Sequence, residues 1–596
     1  MRVIFPKRLM ESVFPTVRNG GIFNTSSLDL QFARTKTLDP RITFTRASSG
    51  TYVGSDGVIK TATTNLLLRS EEFDNASWIK LAATVNANAE TSPFGSLAAD
   101  KLVETTAASS YHYILQTCSY APQTTFSIFA KKGERSVLRL QTGGDNYGAD
   151  FNLNTGATGN LNNVASVSMV SVGNGWYRCS ITTSNTVALN GILIILNSAG
   201  FNTPVYTGDG TSGIYLWGAQ LEQSSTVGEY IPTTSTINSA PRFDHNPTTG
   251  ESLGLLVEEQ RTNLLTASEA MHTSPWGLAA ATAVANDGVA PDGTTTADKV
   301  ISTGGGVFRA GVGVANSTAY TYSVFLKHVA GTGVVSAVGF ERFGSTPLAG
   351  TSSFNLLTGA IVNGAAVQSS SITRYPNNWY RVSVTATSTD VTTTVVNYAA
   401  ASGNEFLIWG AQLETGAFPT SYIPTTTATV TRSADVASIT GANFSSWYRQ
   451  DEGTVFAETQ FPAGTAVNTS SRTVLDITDG TTNNRLNIRA IGVATTTDQL
   501  TVRSGAATSA QFGSNGSAVS TAFRKLACAV KVDDFASWAT GATTAATDTS
   551  GAMPVAVSQA SLGSSFAGTE VMAGTIRRLT YWPSRLPNST LQEITR

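Results

Sequence analysis

Few side chains in this chain are placed for covalent chemistry. The four histidines, His112, His245, His272 and His328, are scattered, and none has a second histidine at metal-site spacing. HExxH and CxxC are absent. GxSxG occurs once, at residues 250–254, but a nucleophile elbow needs a strand before the serine and a helix after it. Here Ser252 follows the turn-rich stretch His245-Asn246-Pro247-Thr248-Thr249. GxGxxG occurs once, at residues 208–213, and runs straight into an apolar strand, so no helix N-terminus is offered to a phosphate. Glycoside hydrolysis needs two carboxylates flanking the bond. Glu71-Glu72, Glu258-Glu259 and Asp533-Asp534 are adjacent pairs, and neighbours on a strand face opposite ways. No catalytic residue is assigned, and the chain is read as a non-enzyme.

Binding is the more natural use of these residue types. Sugars are held by aromatic faces and by planar polar groups such as Asn, Asp, Gln and Arg. Tyr111 and His112, followed by Arg139, Asp145, Asn146 and Tyr147, form the leading candidate glycan set. Phe308, Arg309, Glu341 and Arg342 form a second set. The alternative for both is ordinary strand and loop residues.

The elements that must position these groups are strands. The chain has 596 residues, ample for three or four domains. Charged residues make up 13% and apolar residues 41%, with Ser, Thr, Asn and Gly filling the balance. That mix suits half-buried strands and polar turns better than long helices. A net charge of −2 supplies no basic field for nucleic acid. Three cysteines cannot staple a chain this long. Residues 1–20 lack an apolar core of signal-peptide length, and no apolar run is long enough to span a membrane, so synthesis in the cytoplasm without general export is expected.

The chain repeats itself. Asn65-Leu66-Leu67 answers to Asn263-Leu264-Leu265, Ala99-Asp100-Lys101 to Ala297-Asp298-Lys299, and Trp176-Tyr177-Arg178 to Trp379-Tyr380-Arg381. WGAQLE (217–222 and 409–414) and then YIPTT (230–234 and 422–426) close both copies. Each copy is domain-sized, with period-two alternation of half-buried antiparallel strands. Tyr177, Cys179 and Ile181 share one face, as do Tyr380, Val382 and Val384. Cys179 thus stands where the other copy has Val382, and Cys118 where it has Val314, so both are read as core residues. In the closing strand, Tyr215, Trp217, Ala219 and Leu221 are expected on one face. Trp176, Trp217, Trp379 and Trp409 are read as structural core rather than as sugar platforms.

These words resemble modules of bacteriophage tail and head fibres. The resemblance rests on Phe-Thr-Arg-Ala-Ser-x-x-x-Thr-Tyr (44–52 in part), Pro-Arg-Phe-Asp (241–244), Gly-Leu-Leu-x-Glu-Glu-Gln-Arg-Thr-Asn-Leu-Leu (254–265), WGAQLE and YIPTT. It implies jelly rolls similar to carbohydrate-binding modules across about residues 41–436. The last part resembles a concanavalin-like or laminin-G-like domain, although it lacks the Glu-x-Asp-x-x-Glu of concanavalin-like glycosidases. Its strand candidates are 452–461, 525–532 and 575–582, and it ends in a short helix over 584–595 with a Ser589/Gln592 capping box.

The expected fold class is all-β: tandem antiparallel jelly-roll sandwiches and a concanavalin-like sandwich, with little helix. The expected divisions are a virion-docking segment (1–45), a first jelly roll with its leading linker (46–235), a connector (236–262), a second jelly roll (263–436) and the terminal domain (437–596). The docking segment is assigned on Phe5, Met10, Val13, Phe14 and Phe23. The resemblance implies a virion-surface fibre or spike, assembled in the host cytoplasm, that attaches to host polysaccharide or lipopolysaccharide. It also implies a homotrimer and other virion proteins as partners, without nucleic acid or membrane insertion. Capsid decoration and a depolymerase spike are the alternatives. No cofactor is expected. Structural calcium occurs in many such jelly rolls, but Asp100 and Asp298 are read as turn caps rather than ligands.

Overall fold

The computed structural model describes residues 20–120, 123–143, 147–183, 189–341, 343, 347–399, 401–461, 471–491, 497–513 and 522–596. Nearly every element in these residues is a strand, and the sheets pair antiparallel throughout, as the composition requires. The chain divides into two compact units, one of residues 46–49 and 62–240, the other of residues 1–45, 50–61 and 241–596.

The first unit is a sandwich of two six-stranded sheets. One runs Ala157–Asn162, Tyr147–Asn152, Val137–Thr142, Leu189–Asn197, Tyr113–Tyr120, Ile79–Leu81. The other runs Val164–Gly173, Trp176–Thr183, Thr125–Lys132, Gly213–Glu222, Leu97–Glu104, Ala83–Thr91. Sequence-distant strands are neighbours in both, the mark of a jelly roll. Ile114, Phe126, Leu140, Phe151, Ile181 and Ile194 fill the space between the sheets. Cys179 is buried in this core and Cys118 packs against it. Burial pushes the Cys118 thiol up to about 11 and that of Cys179 higher still, so neither is a nucleophile.

The second copy lies in the other unit and differs in one respect. Its strand Ala297–Gly313 runs unbroken for 17 residues and pairs with both Glu405–Thr415 and Thr392–Tyr398. It therefore joins what are two sheets in the first copy into one ten-stranded sheet. The change of partner falls between Ile301 and Gly306, where the Ser302 hydroxyl accepts from the Gly304 and Gly305 amides.

The repeated words hold one another. Asn65 Nδ2 donates to the Ala219 and Ile231 carbonyls, and its Oδ1 accepts from the Leu67 and Leu221 amides. Asn263 does the same with Ala411, Ile423, Leu265 and Leu413. Gln220 and Gln412 accept from the Ile231 and Ile423 amides. Tyr230 and Tyr422 bond Ser70 and Ser268 at 2.7 and 2.6 Å. WGAQLE is thus a strand with its own latch.

That strand is not regular, and here the alternation expectation fails. Gly218 and Gly410 both sit at φ +64°, and the pairing register slips beside each. Such a glycine bulge inserts one residue and reverses the facing of everything before it. Ala219 and Leu221 face the sandwich core together with Ile214 and Leu216, while Trp217 joins Trp176 and Phe129 in a separate cluster. The second copy repeats this with Trp409, Trp379, Phe325 and Tyr422. All four tryptophans are buried, in clusters separate from the main core of each sandwich.

The C-terminal sandwich has an eight-stranded and a seven-stranded sheet. Glu452–Gln460, Arg524–Lys531 and Gly574–Trp582 are neighbours in the first, matching the expected strands. Two segments expected elsewhere complete it. Leu28–Leu30 pairs with Leu579–Tyr581, and Ser252–Val257 of the expected connector pairs with Gly574–Ile576. Thr43–Thr45 adds to the second sheet beside Val436–Thr440. Leu28, Leu30, Phe32 and Phe44 enter the core, and Arg578 holds Asp29 at 2.8 Å. Phe23 packs on Phe456 and Trp582 under Arg578. The described part of the presumed docking segment is therefore spent inside this sandwich. Phe5, Met10, Val13 and Phe14 lie outside the described residues. The terminal helix is Asn588–Thr595, with Pro587 as its N-cap. The Pro587 carbonyl accepts from Thr590 and Leu591, so Ser589 falls inside the helix and makes no capping box.

Candidate functional site

The words quoted above converge in the second unit. Arg242 of Pro-Arg-Phe-Asp and Arg432 are almost fully buried, and both grip Glu258, at 2.7 and 2.9 Å. Arg242 also reaches Asp435 at 2.5 Å and the Thr51 carbonyl at 2.9 Å. The Ser421 amide and hydroxyl both donate to Glu258 at 2.7 Å. Burial alone would raise the Glu258 carboxyl, but the charges of Arg432 and Arg242 outweigh it and hold it down at about 2. Next to it, Arg472 and Arg261 pair with Glu259.

Above this network is a cavity of about 310 Å³. The hairpin Thr51–Val53/Ile59–Thr61 forms one wall, with Tyr52 and Ile59. Phe325, Tyr375 and Tyr422 form another, with ring centroids 5.2 and 6.2 Å from Phe325. Phe418 and Phe461 also border it but are almost fully buried, with Arg261 and Arg472 over the Phe418 ring. Polar groups are frequent in the lining: Thr51, Glu258, Thr420 and Ser421 come from the network below, and Asp244, Arg381, Ser371, Thr373, Gln460 and Thr575 join them. Arg381 lies over the Phe325 ring and donates to Ser323 at 3.0 Å, while its Nε and the Thr575 hydroxyl have no partner among the described residues. A recess of this size, bordered by aromatic rings and polar groups, has room for a small molecule.

Asp244 is the chemically distinctive group. Its Oδ1 accepts from the Val53 amide at 2.7 Å. Burial, and then the negative charge of Glu258, push its carboxyl up to about 6. A carboxylate pair with separated pKa values is a feature of glycosidases. Here the second member, Glu258, is locked by two arginines and a serine, so it is not available as base or nucleophile. The arrangement can hold a hydroxylated ligand against aromatic faces and give or accept a hydrogen bond at Asp244.

The residues assigned from sequence do not assemble in this way. His112 is fully buried, bonded to the Ala82 carbonyl at 2.6 Å and packed at a tilt against the Tyr206 ring. Arg139 is buried against Asp150 at 3.0 Å, with Gln141 on its Nε. Both are thus consumed internally, which corrects their assignment as glycan contacts. Tyr111 is exposed on its own short strand. Tyr147 shares a sheet face with Ala149 and Phe151, opposite to Arg139. Asp145 and Asn146 lie outside the described residues. In the second copy, Phe308 and Arg309 are consecutive on one strand and point to opposite faces. Glu341 follows the strand Val334–Phe340, and Arg342 lies outside the described residues. Asp100 and Asp298 lie in strands and accept backbone amides at 2.8–3.0 Å from Phe73 and Asn88 and from His272 and Asn286, distant segments that they tie to the sheet, so they do not cap a local turn.

Sequence reasoning missed the cavity, yet its signal was present. Tyr52, Asp244, Glu258, Arg381 and Tyr422 each belong to one of the specific words, and only their convergence in space reveals a site.

No family model and no curated protein matches the chain. Among solved structures it is similar to the CBM40 module of the Ruminococcus gnavus IT-sialidase bound to α2,3-sialyllactose, at 12% identity and a TM-score of 0.21, over 25% of this chain and 83% of that one. It is also similar to the N-terminal tandem of two CBM22 domains from a Paenibacillus barcinonensis protein, at 11% identity and a TM-score of 0.23, over 60% of this chain and 98% of that one. Likeness this distant assigns neither a family nor a ligand.

Proposed function

We propose that this chain is a glycan-binding structural protein, a phage fibre or spike that holds a host-surface saccharide in the aromatic cavity of its second unit. The cavity carries the reading: its aromatic walls suit a sugar ring, and Asp244, Arg381 and the Thr575 hydroxyl offer spaced hydrogen bonds. The phage assignment rests on the resemblance of the quoted words. With one of its two carboxylates locked, the site binds without cleaving. Trimeric assembly and attachment to other virion proteins belong to the same proposal.

The test is binding of the purified full-length protein to a panel of bacterial cells, before and after mild periodate treatment. Thr373→Trp is the companion variant, because Thr373 is an exposed residue lining the cavity and a bulky ring there blocks it without removing a core group. Periodate-sensitive binding that Thr373→Trp weakens at least tenfold is the expected outcome. Binding that neither treatment alters sinks the proposal.

A second reading, capsid decoration or spacing, has one observation in its favour. In the first unit, His112 and Arg139 are satisfied by the fold itself, which suits a module that occupies space.

A further inference from the structure

The seven-stranded sheet of the C-terminal sandwich carries a second polar recess, of about 130 Å³. Strands Arg485–Ile491, Thr497–Ser504 and Ala507–Gly513 lie side by side there. Leu486, Ile488, Leu500, Val502 and Ala510 face the core. By alternation, Arg485, Asn487, Arg489, Thr501 and Arg503 gather on the other face and line the recess. The usual reading of such a face is a solvated one. Two observations oppose it. Arg485 is 9% exposed and Asn487 1%, so these groups have left water. And among the described residues their hydrogen bonding is incomplete.

Arg485 gives its Nε to Asp476 at 3.0 Å, but its Nη2 has no hydrogen-bond partner and stands 3.9 Å from Glu570. Arg503 gives Nη2 to the Ala506 carbonyl at 2.6 Å, and its Nε is unpartnered. Arg489 is satisfied by Gln499 and Glu570. Three arginines thus face two carboxylates, leaving positive charge in excess. Asn487 adds a different demand. The Thr473 hydroxyl donates to Glu570, so it accepts from Asn487 Nδ2, which fixes the amide's orientation. Asn487 Oδ1 is left as a buried acceptor without a donor. A bare anion supplies no donor. A ligand that carries both an anionic group and a hydroxyl meets every unpaired atom.

We propose that this recess binds an acidic saccharide. Arg485 and Arg503 donate to a carboxylate or sulfate, and Asn487 Oδ1 accepts from a hydroxyl of the same chain. The site is separate from the aromatic cavity and does not depend on it.

The experiment is calorimetric titration of the full-length protein with polygalacturonate, dextran sulfate and neutral dextran at low salt. Two variants accompany it. Arg503→Gln removes an arginine that is in no ion pair among the described residues, and Thr508→Glu places a carboxylate at the exposed rim of the recess. Binding of at least one acidic polymer, with neutral dextran at least tenfold weaker, is expected. Each variant should weaken the acidic polymer about tenfold, the scale of one charge-assisted hydrogen bond, without shifting thermal unfolding. Which polymer binds distinguishes a carboxylate from a sulfate. Thr373→Trp should leave this binding intact, which separates failure here from failure at the cavity. Absence of binding to either acidic polymer, equal binding of neutral dextran, or unchanged affinity in both variants would overturn the proposal.

Discussion

Replacing Asp244 by Asn isolates the electrostatics of the cavity. The carboxyl stands at about 6 in the fold against an ordinary 3.8, because burial and then the charge of Glu258 disfavour its ionised form. A shift of this size costs on the order of 3 kcal/mol when the group is ionised, at 1.36 kcal/mol per unit. The folded value lies above the unfolded one. The stabilisation by the neutral acid is therefore complete below about pH 4 and is lost as pH rises to about 6. Asn keeps an Oδ1 to accept from the Val53 amide and carries no charge. Asp244→Asn should thus match the parent at pH 4 and exceed it at pH 8, by up to about 3 kcal/mol. Urea unfolding followed by tryptophan fluorescence at both pH values reads this, since Trp379 and Trp409 lie in the adjoining cluster. Comparing variant with parent at each pH cancels every other titration. A variant less stable than the parent at pH 8 would refute the reasoning, because the carboxylate would then be held by Arg242 rather than strained by burial.

Three further outcomes follow from the same geometry. Glu258→Gln leaves Arg242 and Arg432 buried without their shared counter-charge and should cost about 3–5 kcal/mol, seen as a lower urea midpoint. In the parent, Glu258 lies near 2 in the fold against 4.5, so its contribution is present above about pH 4.5 and is lost as pH falls toward 2. Gly218→Ala and Gly410→Ala force a side chain onto φ +64°, with the new Cβ 3.0 Å from Phe129 and 2.9 Å from Phe325, so each should cost about 1–3 kcal/mol of stability, read as a lower Tm. Cys179→Val should change stability by less than about 1.5 kcal/mol, because Val382 fills the same core position in the second copy, and Cys179 should resist alkylation until the unit unfolds.

The duplication, the all-β class and the facing of strands such as Trp176–Thr183 were legible because they are local patterns repeated in one chain. The facing of WGAQLE was not, because counting by twos assumes a regular strand, and the glycine at its centre breaks the count. Leu28–Leu30 and Thr43–Thr45 are three residues each, too short for periodicity, and the partners of Leu28–Leu30 lie more than 500 residues along the chain. The candidate site failed for a related reason. His112 and Arg139 were read by residue type, yet a polar strand residue is exposed or buried according to its partners, and Ala82 and Asp150 supply those partners. Tyr52, Asp244, Glu258, Arg381 and Tyr422 come from five separated words, most of the other cavity residues lie in none of them, and no single word contains two walls of the pocket.

Hydrogen–deuterium exchange of the full-length protein, with and without oligosaccharides released from the host cell surface, tests the central claim most directly. Protection concentrated at residues 51–53, 371–375 and 420–422, and abolished in Thr373→Trp, is the outcome that the aromatic cavity requires. Saccharide binding that protects other segments while leaving these three unchanged would contradict it.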